Sequence, residues 1–176
     1  KKSILLILIV VLSVPLYANR VDSLYRAIDE VIGKSDSIRM KKEQQLSALR
    51  SVAEKATDLQ DKYQATMQLY EACRSFRNDS AINCLNRCIL LADSMKRTDL
   101  KAVCFNRMGL QHSIAGFYNE AMSYLNRIPK KELKGDILTD YYRAFNHLYG
   151  EMASYTQDDA LKWSYYQMSA NYRDSL

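Results

Sequence analysis

Three segments of this chain repeat one pattern at nearly equal spacing, and that repeat constrains the fold more than any other feature. They are Asp79-Ser80-Ala81-Ile82-Asn83-Cys84-Leu85, Asn119-Glu120-Ala121-Met122-Ser123-Tyr124-Leu125 and Asp158-Asp159-Ala160-Leu161-Lys162-Trp163-Ser164. Each begins polar, carries a small Ala where two helices touch, follows it with an apolar residue, and places an aromatic or Cys three residues after the Ala. The three Ala fall at 81, 121 and 160, spacings of 40 and 39. A longer apolar-periodic segment precedes each copy, so the unit is a helical hairpin and the whole is a hairpin array. Units of this kind cannot bury an apolar face alone and must stack.

The local pattern agrees. Apolar residues recur at three and four, as in Leu46, Leu49, Val52 and Ala53 or Ala102, Phe105, Met108 and His112. Strict two-residue alternation is nowhere sustained, which predicts an all-α chain. Five glycines and two prolines in 176 residues are roughly a third of the average usage of about 12%. A sandwich, a barrel or a Gly-rich phosphate loop is excluded, because each needs turn residues. Caps and stops at Gly33-Lys34-Ser35, Thr57-Asp58, Asn78-Asp79-Ser80, Thr98-Asp99, Gly116-Phe117, Gly135-Asp136 and Gln157-Asp158 predict eight helices. These span 21–32, 36–55, 58–74, 79–96, 100–115, 118–127, 136–155 and 158–173. The chain divides into 1–18, 19–56 and 57–176: a signal peptide, an N-terminal helical pair and the repeat array.

The signal peptide follows from Lys1-Lys2, the apolar run Ile4 to Leu12, and Pro15 and Ala18 near a cleavage point. The run is short for a membrane span, which needs about 20 apolar residues. Export is therefore expected, with cleavage after Ala18. The formal charge of +5 drops to +3 without Lys1 and Lys2, too diffuse for nucleic-acid recognition.

Between Phe105 and Leu125 the residues Phe105, Met108, Gly109, His112, Gly116, Tyr118, Ala121 and Leu125 resemble a tetratricopeptide repeat, a helix–turn–helix unit of 34 residues. The resemblance implies a right-handed α-solenoid. The spacing here is five or six residues longer than that unit, and Leu133 stands where the closing Pro belongs. Upstream, Ile28-Asp29-Glu30-Val31-Ile32-Gly33-Lys34, Asp36, Lys42-Glu43-Gln44-Gln45-Leu46 and Leu49-Arg50 resemble the start of a family of exported, repeat-containing regulators of Gram-negative bacteria. That resemblance implies an extracytoplasmic interaction or sensor segment. In such regulators a membrane helix and a cytoplasmic DNA-binding end follow, so this chain is expected to be an N-terminal fragment.

In tetratricopeptide arrays the first helix of each hairpin lines a concave groove that holds a peptide or a partner helix. Carried over in register, the groove residues are Tyr63, Tyr70 and Arg74, then Asn106 and Arg107, then Tyr142, Asn146 and Tyr149. Arg and Asn there suit a peptide backbone or carboxylate, and Tyr suits pockets. The expected partner is thus a protein or peptide segment. No nucleic acid is expected, and the membrane is met only through the signal peptide or a later helix. A glycan- or nutrient-binding helical-repeat protein is the alternative, for which Trp163 is the only tryptophan.

Catalysis is not expected. No His-Glu-x-x-His, Gly-rich loop or Gly-x-Ser-x-Gly is present. His112 and His147 fall on apolar stripes and read as packing residues. Cys73, Cys84, Cys88 and Cys104 coincide with packing positions and read as buried apolar residues, with disulfides as the alternative in an exported protein. Neither a metal nor a cofactor is expected, because no second close-spaced Cys or His pair accompanies Cys84 and Cys88.

Overall fold

The computed structural model describes the backbone of residues 2–176 and the side chains of residues 21–176. The described residues form seven α-helices and one 3-10 turn, with no strand. They are α1 (Lys2–Lys55), α2 (Leu59–Cys73), α3 (Asn78–Ser94), α4 (Thr98–Ile114), α5 (Tyr118–Leu125), α6 (Gly135–Tyr155) and α7 (Asp159–Arg173), with the turn at Lys130–Glu132 between α5 and α6. The chain separates into two units, residues 1–45 and 46–176.

The first unit lies within α1. The expected break at Gly33-Lys34-Ser35 is absent, so the expected helical pair is one helix. Gly inside a helix costs only about 1 kcal/mol relative to Ala, and it stops a helix when the chain needs a left-handed turn there. None is needed here. Lys34 pairs with Glu30 one turn back, and Arg39 pairs with Asp36 at 3.0 Å. Such pairs support the helix by about 0.2–0.5 kcal/mol each. The expected signal segment, residues 1–18, lies outside the residues whose side chains are described. No helix of the described residues is long and apolar enough to cross a membrane.

The second unit holds the last turns of α1 and three helical hairpins, α2–α3, α4–α5 and α6–α7. Their ends fall within two residues of the expected ones. Asp58 accepts from the Gln60 and Asp61 amides at 2.8 and 3.1 Å, and Asp158 accepts from the Leu161 amide at 2.8 Å. These caps satisfy orphan amides at the starts of α2 and α7. Ala81, Leu85, Ala121 and Leu125 are fully buried. A Cβ on Gly109 would lie 2.5 Å from the Leu125 side chain, so the close approach of α4 and α5 requires the missing side chain.

The third copy departs from expectation. Ala160 is exposed, and α7 packs instead through Tyr165, Ser169 and Tyr172. Tyr149 stacks on Tyr165 at 6.2 Å, as Gly109 faces Leu125 in the hairpin before. From Leu125 to Tyr165 is again 40 residues, so the period is 40 in both steps and the 39-residue spacing of Ala121 and Ala160 is a false register. One residue rotates a helix face by about 100°. That slip turns Ala160 out of the packed face of α7.

Candidate functional site

The first helices of the hairpins carry polar side chains that tie neighbouring units together. Tyr63 Oη donates to the Leu100 carbonyl at 3.2 Å, across from α2 to α4. Gln111 Nε2 of α4 donates to Asn78 Oδ1 at 2.6 Å and to the Arg74 carbonyl at 3.3 Å. Ser113 Oγ meets His147 Nδ1 at 3.0 Å, from α4 to α6. Buried polar groups of this kind must find partners, and here they find them across the unit boundary.

Beside these ties, α2, α4 and α6 line a cavity of about 340 Å³ with Tyr70, Glu71 and Arg74, Asn106, Arg107 and Leu110, and Asp140, Arg143 and Ala144. Tyr70 forms the floor at 2% exposure, and burial pushes its phenol up to about 12 against the pull of Arg107. The Arg107 guanidinium lies 5.3 Å from the Tyr70 ring centre and pairs with Glu71. Glu71 also holds Arg74 at 2.9 Å, while Arg143 reaches Asp140 at 3.4 Å. Three guanidiniums thus share two carboxylates. Asn106 is 3% exposed. Its Nδ2 donates to the Ile137 carbonyl at 3.0 Å, which fixes its orientation. Its Oδ1 is buried and has no partner, an acceptor that wants an N–H or O–H.

Four of the eight expected groove residues, Tyr70, Arg74, Asn106 and Arg107, therefore meet around one cavity. The other four lie elsewhere. Tyr63 is buried against Cys88 and Cys104, 3.5 Å from the Cys104 sulfur. Tyr142 and Tyr149 join an aromatic cluster with Tyr172 between α6 and α7. Asn146 donates to the Ser169 carbonyl at 3.4 Å and accepts, through its own carbonyl, from Ser169 Oγ at 3.0 Å. The reason is geometric. Lining residues start at 70, 106 and 140, offsets of 36 and 34, whereas the sequence repeats every 40. The cavity crosses the helices obliquely, about one turn earlier on α4 and nearly two turns earlier again on α6. A strict carry-over by repeat register found its first two walls and missed Asp140, Arg143 and Ala144. Glu71 and Leu110 were missed for another reason: each neighbours an assigned residue on the same helix face.

The four cysteines are thiols with no disulfide, and all are buried. Burial pushes Cys84 up to about 11. The Cys104 sulfur and burial together hold Cys88 above the ordinary thiol range. His112 stacks on Tyr124 at 5.4 Å and meets the edge of Phe117. Among the described residues no group of His, Cys, Asp and Glu is arranged to hold a metal ion.

Comparison with known families gives a match over most of the chain. The description of the SusR N-terminal TPR domain matches residues 32–176. The chain belongs to this family. No curated protein matches it, and no solved structure does. The SusR-type assignment agrees with the hairpin array and with the regulator resemblance of the N-terminal residues. Tetratricopeptide domains are protein-interaction repeats and are in general non-catalytic. The SusR-type domain here presents the arginine-rich cavity on the first helices of its three hairpins.

Proposed function

We propose that this chain is the extracytoplasmic interaction segment of a membrane-anchored transcriptional regulator, and that the cavity on α2, α4 and α6 binds a peptide segment of a partner protein. Residues 1–18 carry the export signal. The observation that supports this reading is that Asn106 and three arginines line one cavity. The unpartnered Asn106 Oδ1 suits a backbone N–H of an extended segment. Arg74, Arg107 and Arg143 outnumber their carboxylates, which suits an acidic side chain or a terminal carboxylate. Such a ligand displaces Glu71 from the arginines it now holds. Binding across three hairpins then biases their stacking, and through it whatever follows them.

The test is affinity capture from envelope extract with the native chain and with an Arg74→Gln, Arg143→Gln variant, both exposed positions. A single partner retained by the native chain and lost about tenfold by the variant, with the helical spectrum unchanged, supports the reading. Equal retention by both rejects it. The glycan-binding alternative draws on Trp163, which is 64% exposed. Quenching of this single tryptophan by an oligosaccharide, with protein capture unaffected by the variant, would favour that alternative.

A further inference from the structure

The 40-residue spacing exceeds the 34-residue unit by six residues, and the hairpins place that extra length differently. In the first hairpin it extends the second helix. α3 runs on to Ser94, and its later residues Cys88 and Ala92 cover Tyr63 near the start of α2. In the second hairpin α5 stops after eight residues at Leu125. Residues 126–134 then cross back as a loop containing the 3-10 turn. The start of α4 is left without a helix over it. A cavity of about 650 Å³ opens there, within the range of small-molecule sites, about 300–1,000 Å³. It shares no lining residue with the arginine-rich cavity.

Its floor is apolar: Ala102 and Phe105 of α4, Ile128 and Leu133 of the loop, and Ile137 of α6. Its rim is cationic. Lys101 Nζ lies 5.7 Å from the Phe105 ring centre and pairs with Asp93 at 2.6 Å. The Arg127 guanidinium lies 5.9 Å from the Phe105 ring and 5.0 Å from the Tyr124 ring. Neither Arg127 nor Lys134 forms an ion pair among the described residues. The acids at the rim do not cancel them. Asp99 is held by Arg97 at 2.8 and 2.6 Å, which keeps its carboxyl down at about 2. Glu132 alone remains against two uncommitted cations. A guanidinium resting on two rings with no carboxylate keeps its edge donors for an anion.

An apolar floor under a cationic rim fits a molecule with two unlike ends. We propose that the cavity between α4 and the 126–134 loop binds a small amphiphilic anion, an apolar body bearing a carboxylate, with the body against Phe105, Ile128 and Ile137 and the carboxylate on Arg127. Lys101 and Lys134 strengthen the attraction from the rim. Burial of the body supplies affinity, and the guanidinium supplies selectivity for charge over a neutral analogue of equal length.

Calorimetric titration of the full chain with decanoate, decanol and acetate, each as a monomer in solution, tests this. Decanoate binds about tenfold or more tighter than decanol, and acetate does not bind. Raising the salt from low to high concentration weakens decanoate and leaves decanol unchanged. Arg127→Gln loses about tenfold for decanoate and nothing for decanol, which shows at once that the cavity is still formed. Decanoate no tighter than decanol, no effect of Arg127→Gln on decanoate, or equal losses for both ligands each overturn the proposal. Absence of decanoate binding by the folded chain also overturns it. Co-sedimentation with phosphatidylglycerol vesicles without binding of monomeric decanoate does the same, because it assigns the cations to a lipid surface.

Discussion

His112 shows what one residue does in this array. It sits on the apolar stripe of α4, where it reads as a packing histidine, and it does stack flat on Tyr124. Its Nδ1 is buried without a partner, and burial holds its pKa below 6.5 against the opposing pull of Glu120. Lowering the folded-state pKa means the unfolded chain takes up the proton first. Stability from this residue is complete above about pH 6.5 and falls as the pH drops from there to the folded-state pKa, below which the loss levels off. The melting temperature of the native chain therefore falls between pH 7.5 and 5.5. His112→Phe removes part of that slope. Melting curves across this range check it, and an unchanged slope in the variant would locate the acid sensitivity elsewhere.

At the scale of elements, two of the inter-helix turns make a controlled comparison. The α4–α5 turn has Gly116 at φ +81°, and the Phe117 amide closes on the His112 carbonyl at 2.9 Å. The α3–α4 turn has the same closure, from the Arg97 amide to the Ala92 carbonyl at 2.9 Å, but Lys96 stands at φ +55°. A left-handed residue ending a helix favours Gly, and a side chain there costs about 1 kcal/mol. Lys96 is exposed, so little else is lost with it. Lys96→Gly is expected to stabilise the chain by about 0.5–1 kcal/mol, after allowing for the freer unfolded state. Gly116→Ala costs about 1 kcal/mol. Thermal melts of both, shifting in opposite directions by about 2–4 °C per kcal/mol, are the measurement.

These elements also show what was legible in the sequence. Helix ends with a cap or a left-handed turn could be read, because Asp58, Asp158 and Gly116 act locally. Gly33 misled, because a glycine alone does not distinguish a stop from a tolerated interior position. The hairpin faces could be read where small and large residues interlock, as at Gly109 and Leu125. Ala160 resembled Ala81 in type but not in register. Four of the nine residues lining the arginine-rich cavity could be read from the repeat. The rest follows from the oblique crossing of the helices, which is a property of packing between hairpins and leaves no mark in any one of them. The 126–134 loop gave no signal beyond excess length.

For residues 46–176 taken whole, stability in a stacked array is close to a sum over neighbours. α4 packs against α3, α5 and α6 and buries residues along its length, from Ala102 to Ser113. α7 packs against α6 and buries none of its residues fully. It is held by Tyr172, which stacks on Phe145 at 4.7 Å with rings 8° from parallel, by the Tyr149–Tyr165 stack, and by the Asn146–Ser169 bonds. Fewer neighbours mean a lower opening free energy, so α7 opens without the rest. Amide exchange read by mass spectrometry is expected to show α7 exchanging on the order of tenfold or more faster than α4, since each 1.4 kcal/mol of opening energy is tenfold in exchange. Tyr172→Ala should speed α7 further and leave α4 unchanged, because no α4 ring touches Tyr172. Exchange at one common rate, with Tyr172→Ala accelerating both helices equally, would mean that the hairpins open as a single cooperative body and that occupancy of the arginine-rich cavity could not bias one hairpin against its neighbour.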